Sequence, residues 1–227
     1  MKYQNICRGL FVERPNRFVA IVEIAGQKET VHVKNTGRCR ELLVPGAEVW
    51  LSRSDSPARK TKYDLIAVRK NGSVLFNIDS QAPNAVVGEW LAVQDFDRIV
   101  PEFRFGQSRI DFYMVRGGER WLLEVKGCTL ERNGIGYFPD APTERGARHL
   151  RELTVAAAAG FHAAVAFVMQ ADGMKTVLPN RETDPAFAEA MHAAEEAGVQ
   201  ILYLPCHVEP DKLEIVGNPL FERKECK

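Results

Sequence analysis

The chain has 227 residues, a formal net charge of zero, 45% hydrophobic residues and 26% charged residues, which is ordinary for a globular protein. No apolar run is long enough to span a bilayer, and the first residues lack a signal-peptide core, so we expect a cytoplasmic protein without a membrane partner. The five cysteines are scattered and form no C-x-x-C pair, which argues against a disulfide framework or a zinc knuckle.

The charge is distributed unevenly along the chain. Residues 1–80 hold 14 Lys and Arg against 8 Asp and Glu, a balance of +6, and residues 81–227 hold 16 against 22, a balance of −6. A basic N-terminal part of this kind is typical of a protein that contacts a polyanion, although scattered surface charges produce the same count.

Residues 1–82 are predicted to form a small closed β-barrel. Short segments rich in β-branched residues alternate with turn residues such as Gly26, Pro45 and Gly72. Several short strands without a helical period favour an oligonucleotide/oligosaccharide-binding (OB) barrel, with an SH3-like barrel as the alternative. The predicted strands cover residues 17–24, 30–33, 48–51, 65–68 and 74–78.

Two predicted loops of this barrel, residues 34–40 and 53–62, are rich in Lys and Arg. OB barrels contact nucleic acid through such loops, and their cations neutralise phosphates without reading the base sequence. Trp50 and Tyr63 either stack on bases or belong to the core. We therefore predict a nucleic-acid partner bound without strong sequence specificity, and these contacts do not distinguish DNA from RNA. The candidate contacts are Lys34, Arg38, Arg40, Arg59, Lys60 and Lys62.

Residues 83–227 are predicted to form an α/β sandwich around a mixed sheet. Asn84 is the predicted N-cap of the first helix, and Gly160 and Gly198 end the later two. A stretch rich in Gly and Pro, residues 133–142, is predicted to be a loop. The predicted helices cover residues 85–93, 143–159 and 184–197, and the predicted strands lie near residues 103–105, 108–114, 121–127, 163–169 and 199–204.

Three charged residues interrupt two apolar strands of this second part. Asp111 lies on one strand, and Glu124 and Lys126 lie two residues apart on the next, so the latter two point to the same side. Two carboxylates on adjacent strands suit Mg²⁺ or Mn²⁺, and a lysine beside them can orient a water or stabilise negative charge. The alternative is a buried Glu–Lys ion pair without chemistry. The order of the flanking elements resembles the PD-(D/E)XK nuclease core.

Five stretches make the resemblance more specific, and together they span nearly the whole chain. The chain resembles the sugar fermentation stimulation protein A family on these stretches, which are KNTGRCRELL (34–43), RKTKY (59–63), SRID (108–111), EVK (124–126) and YFPDAPTERGARHL (137–150). The resemblance implies an N-terminal OB-like barrel joined to a PD-(D/E)XK nuclease-like domain. It also implies DNA binding and regulation of genes for sugar, notably maltose, metabolism.

The nuclease-like core implies roles for particular residues. By this resemblance Asp111 and Glu124 are metal ligands and Lys126 is a catalytic lysine. Some members of the superfamily add a glutamate from the first helix, here Glu89, and polar residues from the second helix. The candidates on the second helix are Arg148 and His149 as catalytic residues and Arg145 as a further nucleic-acid contact, close to a phosphate.

Two functions remain open on this evidence. The first is a Mg²⁺- or Mn²⁺-dependent phosphodiesterase that cleaves DNA held by the barrel. The second is a regulator that binds DNA through the same basic surfaces without cleaving it.

Overall fold

A computed structural model describes residues 1–35 and 37–217 of the chain. Thr36, which belongs to the first of the resembling stretches, and Cys226 lie outside the described residues. The four cysteines within them, Cys7, Cys39, Cys128 and Cys206, are free thiols. None of the described helices is long and apolar enough to cross a lipid bilayer.

The N-terminal part is a closed five-stranded barrel with one added strand. The strand order is β3-β2-β1-β4-β5-β6, and parallel pairing of β3 with β5 closes the barrel. Alternate residues such as Ala20, Val22 and Val31 point inward and are fully buried. The OB-like prediction is therefore confirmed. The strands are β1 (Ile6–Asn16), β2 (Val19–Ile24), β3 (Gln27–Val33), β4 (Glu48–Arg53), β5 (Tyr63–Lys70) and β6 (Val74–Asn77).

The longest barrel strand, β1, was not predicted. It contains Gly9 and Pro15, and its only β-branched residues are Ile6 and Val12, so its sequence lacks the β-branched alternation of a typical strand. The glycine has a packing role, because a Cβ at Gly9 would lie 2.5 Å from Cγ1 of Val22 and 2.9 Å from the carbonyl oxygen of Glu23 on β2. Close approach at Gly9 therefore adds to the burial of Phe11 in holding this strand.

The C-terminal part is a six-stranded mixed sheet between helices, as predicted. Its order is β15-β14-β12-β9-β8-β7, in which β9, β12 and β14 are parallel and the other pairs are antiparallel. The elements are α1 (Ala82–Ala92), β7 (Arg98–Phe105), β8 (Ser108–Arg116), β9 (Glu119–Cys128), β10 (Leu130–Arg132), β11 (Ile135–Phe138), α2 (Glu144–Ala158), β12 (His162–Met169), β13 (Thr176–Pro179), α3 (Pro185–Glu196), β14 (Gln200–Glu209) and β15 (Lys212–Ile215).

The helices cover opposite faces of this sheet. Buried residues of α1 share a core with Trp121, Leu123 and Val125 of β9. Buried residues of α2 and α3 share the other core with Leu122 of β9 and Phe167 of β12. The alternation along β9 therefore decides which side chains face α2.

Three local predictions were wrong. The stretch 133–142 is not only a loop, because β11 lies within it and pairs with β10 and β13 in a small separate sheet. Gly136 serves close packing rather than a turn, since a Cβ there would lie 2.9 Å from Sγ of Cys128. Asn84 is not an N-cap, because α1 already begins at Ala82. The last sheet strand, β14, continues past the predicted end at Leu204 and returns as β15.

The barrel and the sheet are in direct contact. The backbone N–H of Asn77, at the end of β6, donates to the carbonyl of Gln170 after β12 at 2.9 Å. The first residues of the chain lie along β15, where the amino group of Met1 donates to the carbonyl of Leu213 at 2.6 Å. The division into residues 1–82 and 83–227 remains a prediction, and the two parts pack as one body at this joint.

Candidate active site

The candidate site lies where β8 and β9 separate. Their described pairing runs from Arg116↔Glu119 to Phe112↔Leu123 and ends there. Beyond that point β8 stays paired with β7, and β9 stays paired with β12. Asp111 and Glu124 are the next residues on the two strands, so both carboxylates border the opening.

The side chain of Asp111 takes the place of a backbone hydrogen bond between β8 and β9. Its Oδ2 accepts the backbone N–H of Val125 at 2.7 Å, and its Oδ1 accepts Nδ2 of Asn84 at 2.7 Å. Burial and the neighbouring negative charge of Glu124 raise the pKa of Asp111, and the two hydrogen bonds offset this only in part. Two carboxylates are thus close enough to disfavour each other's charge.

Glu124 is almost fully buried, with 2% of its surface exposed. Its Oε1 accepts Nζ of Lys126 at 2.5 Å and also contacts Nδ1 of His149. Burial alone would raise the pKa of Glu124, but the hydrogen bond of His149 and the charge of Lys126 outweigh it and lower the pKa. Glu124 is therefore a carboxylate at neutral pH.

His149 is buried on α2 and connects Glu124 to a surface arginine. Nε of Arg145 donates to Nε2 of His149 at 3.3 Å. A guanidinium only donates, so Nε2 accepts and the ring proton is on Nδ1, from which it is donated to Glu124. Arg145 and His149 are four residues apart on one face of α2, so the helix itself places these two side chains in contact.

The second helix is anchored at its start. Oγ1 of Thr143 accepts the backbone N–H of Gly146 at 3.0 Å, which is an N-cap. Arg148 lies on the exposed side of the helix, and its Nε donates to Oγ of Ser108 at 3.3 Å. The structure thus brings Arg148 to the start of β8, beside the strand that carries Asp111.

Glu89, a predicted catalytic residue, lies outside the cluster. It is exposed on α1, and its carboxylate pairs with the amino group of Met1 at 2.6 Å. The polar residue that α1 does supply is Asn84, five residues earlier, through its bond to Asp111. The sequence predicts Asn84 as a helix cap and carries no signal for this contact, which depends on how α1 packs against β8.

The predicted nucleic-acid contacts divide into two groups. Lys34 and Arg59 are half-buried and ion-paired within the barrel: Lys34 reaches Asp79 at 3.0 Å, and Arg59 forms a two-pronged pair with the buried Asp64. Trp50 is also buried and belongs to the core rather than to a stacking surface. The exposed members of the set are Arg38, Arg40, Lys60, Lys62 and Arg145.

The donor set fits a small divalent cation. Oε2 of Glu124 is buried and has no hydrogen-bond partner among the described residues, although Oε1 of the same carboxylate accepts two. Across the opening lies Asp111, whose charge is disfavoured by Glu124. A cation between them would satisfy the unpartnered oxygen and remove the repulsion. Within the described residues no group of three His, Cys, Asp or Glu side chains is arranged to hold a metal, so other ligands would come from water or substrate.

Comparison with known proteins gives consistent matches along the chain. The model of the SfsA N-terminal OB domain matches residues 12–77, and that of the sugar fermentation stimulation protein RE domain matches residues 81–212. The sugar fermentation stimulation protein homolog of Desulfitobacterium hafniense is 52% identical over 217 residues, covering 94% of this chain and 95% of that protein. The homolog of Ruminiclostridium cellulolyticum is 48% identical over 219 residues, covering 95% and 96%.

A solved structure has the same fold. The SfsA of Pyrococcus furiosus, determined in complex with Ca²⁺, superposes with a TM-score of 0.84 at 29% identity and covers 96% of both chains. Both domain models, the relatives along nearly the full length and this superposition agree, and we conclude that the chain belongs to the sugar fermentation stimulation protein (SfsA) family.

Proposed function

We propose that this protein is a phosphodiesterase that cleaves DNA with the help of Mg²⁺ or Mn²⁺. The observation that carries the proposal is the buried Glu124, which has one unpartnered oxygen, a lysine on its other oxygen and a second carboxylate across the strand opening. The Ca²⁺ complex of the Pyrococcus furiosus relative supports a divalent cation in this family. The barrel and its exposed arginines support a nucleic-acid substrate.

In this mechanism Asp111 and Glu124 hold the cation. When bound, a divalent cation lowers the pKa of a coordinated water and offsets the charge that develops on the phosphate. His149 holds Oε1 of Glu124 in place, which leaves Oε2 available as a ligand. Nζ of Lys126, beside Oε1, orients the attacking water and stabilises the negative charge of the transition state.

The test is a cleavage assay on plasmid, linear and single-stranded DNA with Mg²⁺, Mn²⁺ or EDTA. Asp111→Asn should abolish metal-dependent cleavage, and Lys126→Met should lower its rate by ~10²–10³-fold, as for loss of one transition-state donor. The matched control is Lys175→Met, because Lys175 is exposed on a turn away from the cluster. Cleavage that survives in Asp111→Asn would mark a contaminating nuclease and contradict the proposal.

A second candidate is a regulator of sugar (maltose) utilisation genes that binds DNA without cleaving it. One observation favours it: the ammonium of Lys126 already faces the carboxylate of Glu124, and His149 contacts the same oxygen, so residues of the protein itself offset part of the negative charge. In the same assay this function predicts no cleavage under any condition, with DNA binding that weakens steeply as salt rises.

A further inference from the structure

A cavity of about 580 Å³ on the barrel is lined by four arginines. We name it the arginine pocket; its walls are Arg14, Asn16, Arg17, Gly37, Arg38, Arg40, Leu43, Ala141 and Pro142. None of these described lining residues is acidic. A concave surface with four positive charges and no acid among its walls is a site for an anion with several charges.

Arg14 shapes the pocket and the other three arginines face solvent. The guanidinium of Arg14 donates to four backbone carbonyls, those of Arg17, Asn35, Gly37 and Arg38, at 2.6–2.9 Å. The four donors of its two terminal nitrogens are therefore used within the protein, and Arg14 acts as a positioning residue for the loop that carries Arg38. The side chains of Arg17, Arg38 and Arg40 are exposed and available for a ligand.

A second cavity, the central cleft, joins the arginine pocket to the candidate active site. It has a volume of about 290 Å³ and shares Gly37, Ala141 and Pro142 with the arginine pocket. At its other side it is lined by Gly127, the neighbour of Lys126, and by Pro83, the neighbour of Asn84. The two cavities are thus adjacent parts of one groove that ends beside the catalytic cluster.

The loop of the arginine pocket is fixed to the sheet domain. Oδ2 of Asp140, which lies just before α2, accepts the backbone N–H of Cys39 at 3.0 Å. A Cβ at Gly37 would lie 2.9 Å from the same oxygen, so the absence of a side chain permits this approach. A phosphate bound in the pocket would therefore sit at a set distance from Asp111 and Glu124.

The size of the groove limits its occupant. A volume of about 290 Å³ is at the lower end of small-molecule sites, ~300–1,000 Å³. This volume can hold one unstacked nucleotide and is too small to take in a base-paired duplex. The half-buried Tyr137 and the side chain of Asn35 line it. The guanidinium of Arg132 lies over the Tyr137 ring at 5.2 Å, and Oδ1 of Asn35 accepts the N–H of Gly37, so the amide nitrogen of Asn35 is the group that can bond to a base.

We infer that the arginine pocket and the central cleft form one track for single-stranded DNA, in which Arg17, Arg38 and Arg40 bind phosphates on the side of the cleft away from the candidate active site. This inference rests on the proposed function, and it adds the strandedness of the substrate and a phosphate-binding residue, Arg17.

The test is binding of a fluorescein-labelled 15-nucleotide single strand, and of the duplex of the same sequence, measured by anisotropy in EDTA over a range of salt. The double variant Arg17→Glu/Arg40→Glu should bind the single strand at least tenfold more weakly. Its slope of log affinity against log salt should be shallower by ~1.4, about 0.7 for each lost phosphate contact. Arg17→Lys/Arg40→Lys should keep most of the affinity because the charge is kept.

The matched control is Arg98→Glu, since Arg98 is exposed on the outer strand β7 and lines neither cavity. Wild-type affinity and slope in the Arg17→Glu/Arg40→Glu variant would overturn the track, as would tighter binding of the duplex than of the single strand. The two proposals fail separately. If DNA is not cleaved but its binding depends on the arginines, only the phosphodiesterase proposal is contradicted. If cleavage depends on Asp111 but binding does not depend on the arginines, only the track is contradicted.

Discussion

At Asp111 the negative charge that the proposed chemistry needs lowers the stability of the folded protein. Its carboxylate is partly buried beside Glu124, and burial and that charge raise its pKa. An acid with a raised pKa destabilises the folded protein at pH values where the acid is ionised and has no such effect when it is protonated. A residue kept at this cost is typical of a functional site.

We therefore expect Asp111→Asn to stabilise the metal-free protein. An asparagine can still accept the N–H of Val125, and the amide of Asn84 can turn to accept from it, so only the charge is lost. The melting temperature should rise by ~2–4 °C at pH 7, about 1 kcal/mol. The gain should shrink as the pH falls and vanish in acid, and thermal unfolding followed by circular dichroism measures both.

Added Ca²⁺ should make the wild type more stable than Asp111→Asn. Added at a hundred times its dissociation constant, Ca²⁺ should stabilise the wild type by about 2.7 kcal/mol and leave Asp111→Asn nearly unchanged. Magnesium-free buffer and an EDTA sample serve as references. An equal shift in both proteins would show that the ion binds elsewhere.

Arg59 is expected to matter for stability rather than for DNA affinity. It holds the buried carboxylate of Asp64, which His32 and Lys34 also contact, and its hydrogen bonds help to lower the pKa of Asp64 against the opposing effect of burial. Arg59→Ala should cost about 1–3 kcal/mol, as for removal of one partner of a buried polar group.

The matched control for Arg59→Ala is Lys60→Ala, on the exposed neighbouring residue, which should leave the urea unfolding midpoint unchanged. The loss should also grow smaller in acid, because a lowered carboxyl pKa gives stability that is lost as the pH falls. Equal midpoints for the two variants would contradict this role of Arg59.

At the scale of elements, α2 supplies the side chains that complete the candidate site at the opening between β8 and β9. Its buried face includes His149, which reaches Glu124, and its exposed face carries Arg145 and Arg148. The position of these side chains along β8 and β9 depends on where the helix begins. Thr143 defines that start through its bond to the N–H of Gly146.

Removing this cap should loosen the helix start. Thr143→Ala is expected to cost about 1 kcal/mol in the free energy of unfolding, the usual effect of losing an N-cap. The control is Thr154→Ala within the same helix, where the hydroxyl bonds back to the carbonyl of Leu150 at 3.1 Å. That change should be neutral or slightly stabilising, because alanine is the better helix former. Chemical denaturation distinguishes the two, and equal losses would argue against the cap.

At the scale of the whole molecule, the barrel and the sheet meet through buried polar groups. The side chain of Gln170, 2% exposed, donates to Oδ1 of Asn77 at 3.0 Å and to the carbonyl of Asp79 at 3.2 Å. Lys70 of the barrel also pairs with Glu131 of the sheet domain at 2.6 Å. These bonds connect the part proposed to bind DNA to the part proposed to cleave it.

Gln170→Leu should weaken this joint. The change removes two buried hydrogen bonds, while the two acceptors keep only the N–H donors of Asp79 and Ala82, so we expect a loss of about 1–3 kcal/mol. Gln107→Leu, on an exposed turn, is the control and should be close to neutral. Fluorescence of the tryptophans and far-ultraviolet circular dichroism should follow one urea transition in the wild type. A variant as stable as the wild type would contradict a structural role for this contact.

The sequence by itself determined the features that depend on neighbours along the chain. Local periodicity and termination signals predict the barrel strands with strong β-branched patterns and the helix between Thr143 and Gly160. They also place Glu124 and Lys126 on the same side of an apolar strand. The quoted motifs were enough to indicate the family. Weakly patterned strands such as β1 and β11 were not predictable in this way, because close packing at glycines helps to hold them.

Only the tertiary structure decided which charges meet. His149 reaches Glu124 across 25 residues of sequence, and Asn84 reaches Asp111 across 27. Glu89 lies on the same helix as Asn84 and is excluded from the site, since its carboxylate is paired with Met1. The physical reason is that strand register and helix packing, which depend on the whole core, determine which other groups a side chain contacts. Burial among those contacts then decides whether its charge is compensated within the protein or left available for a ligand.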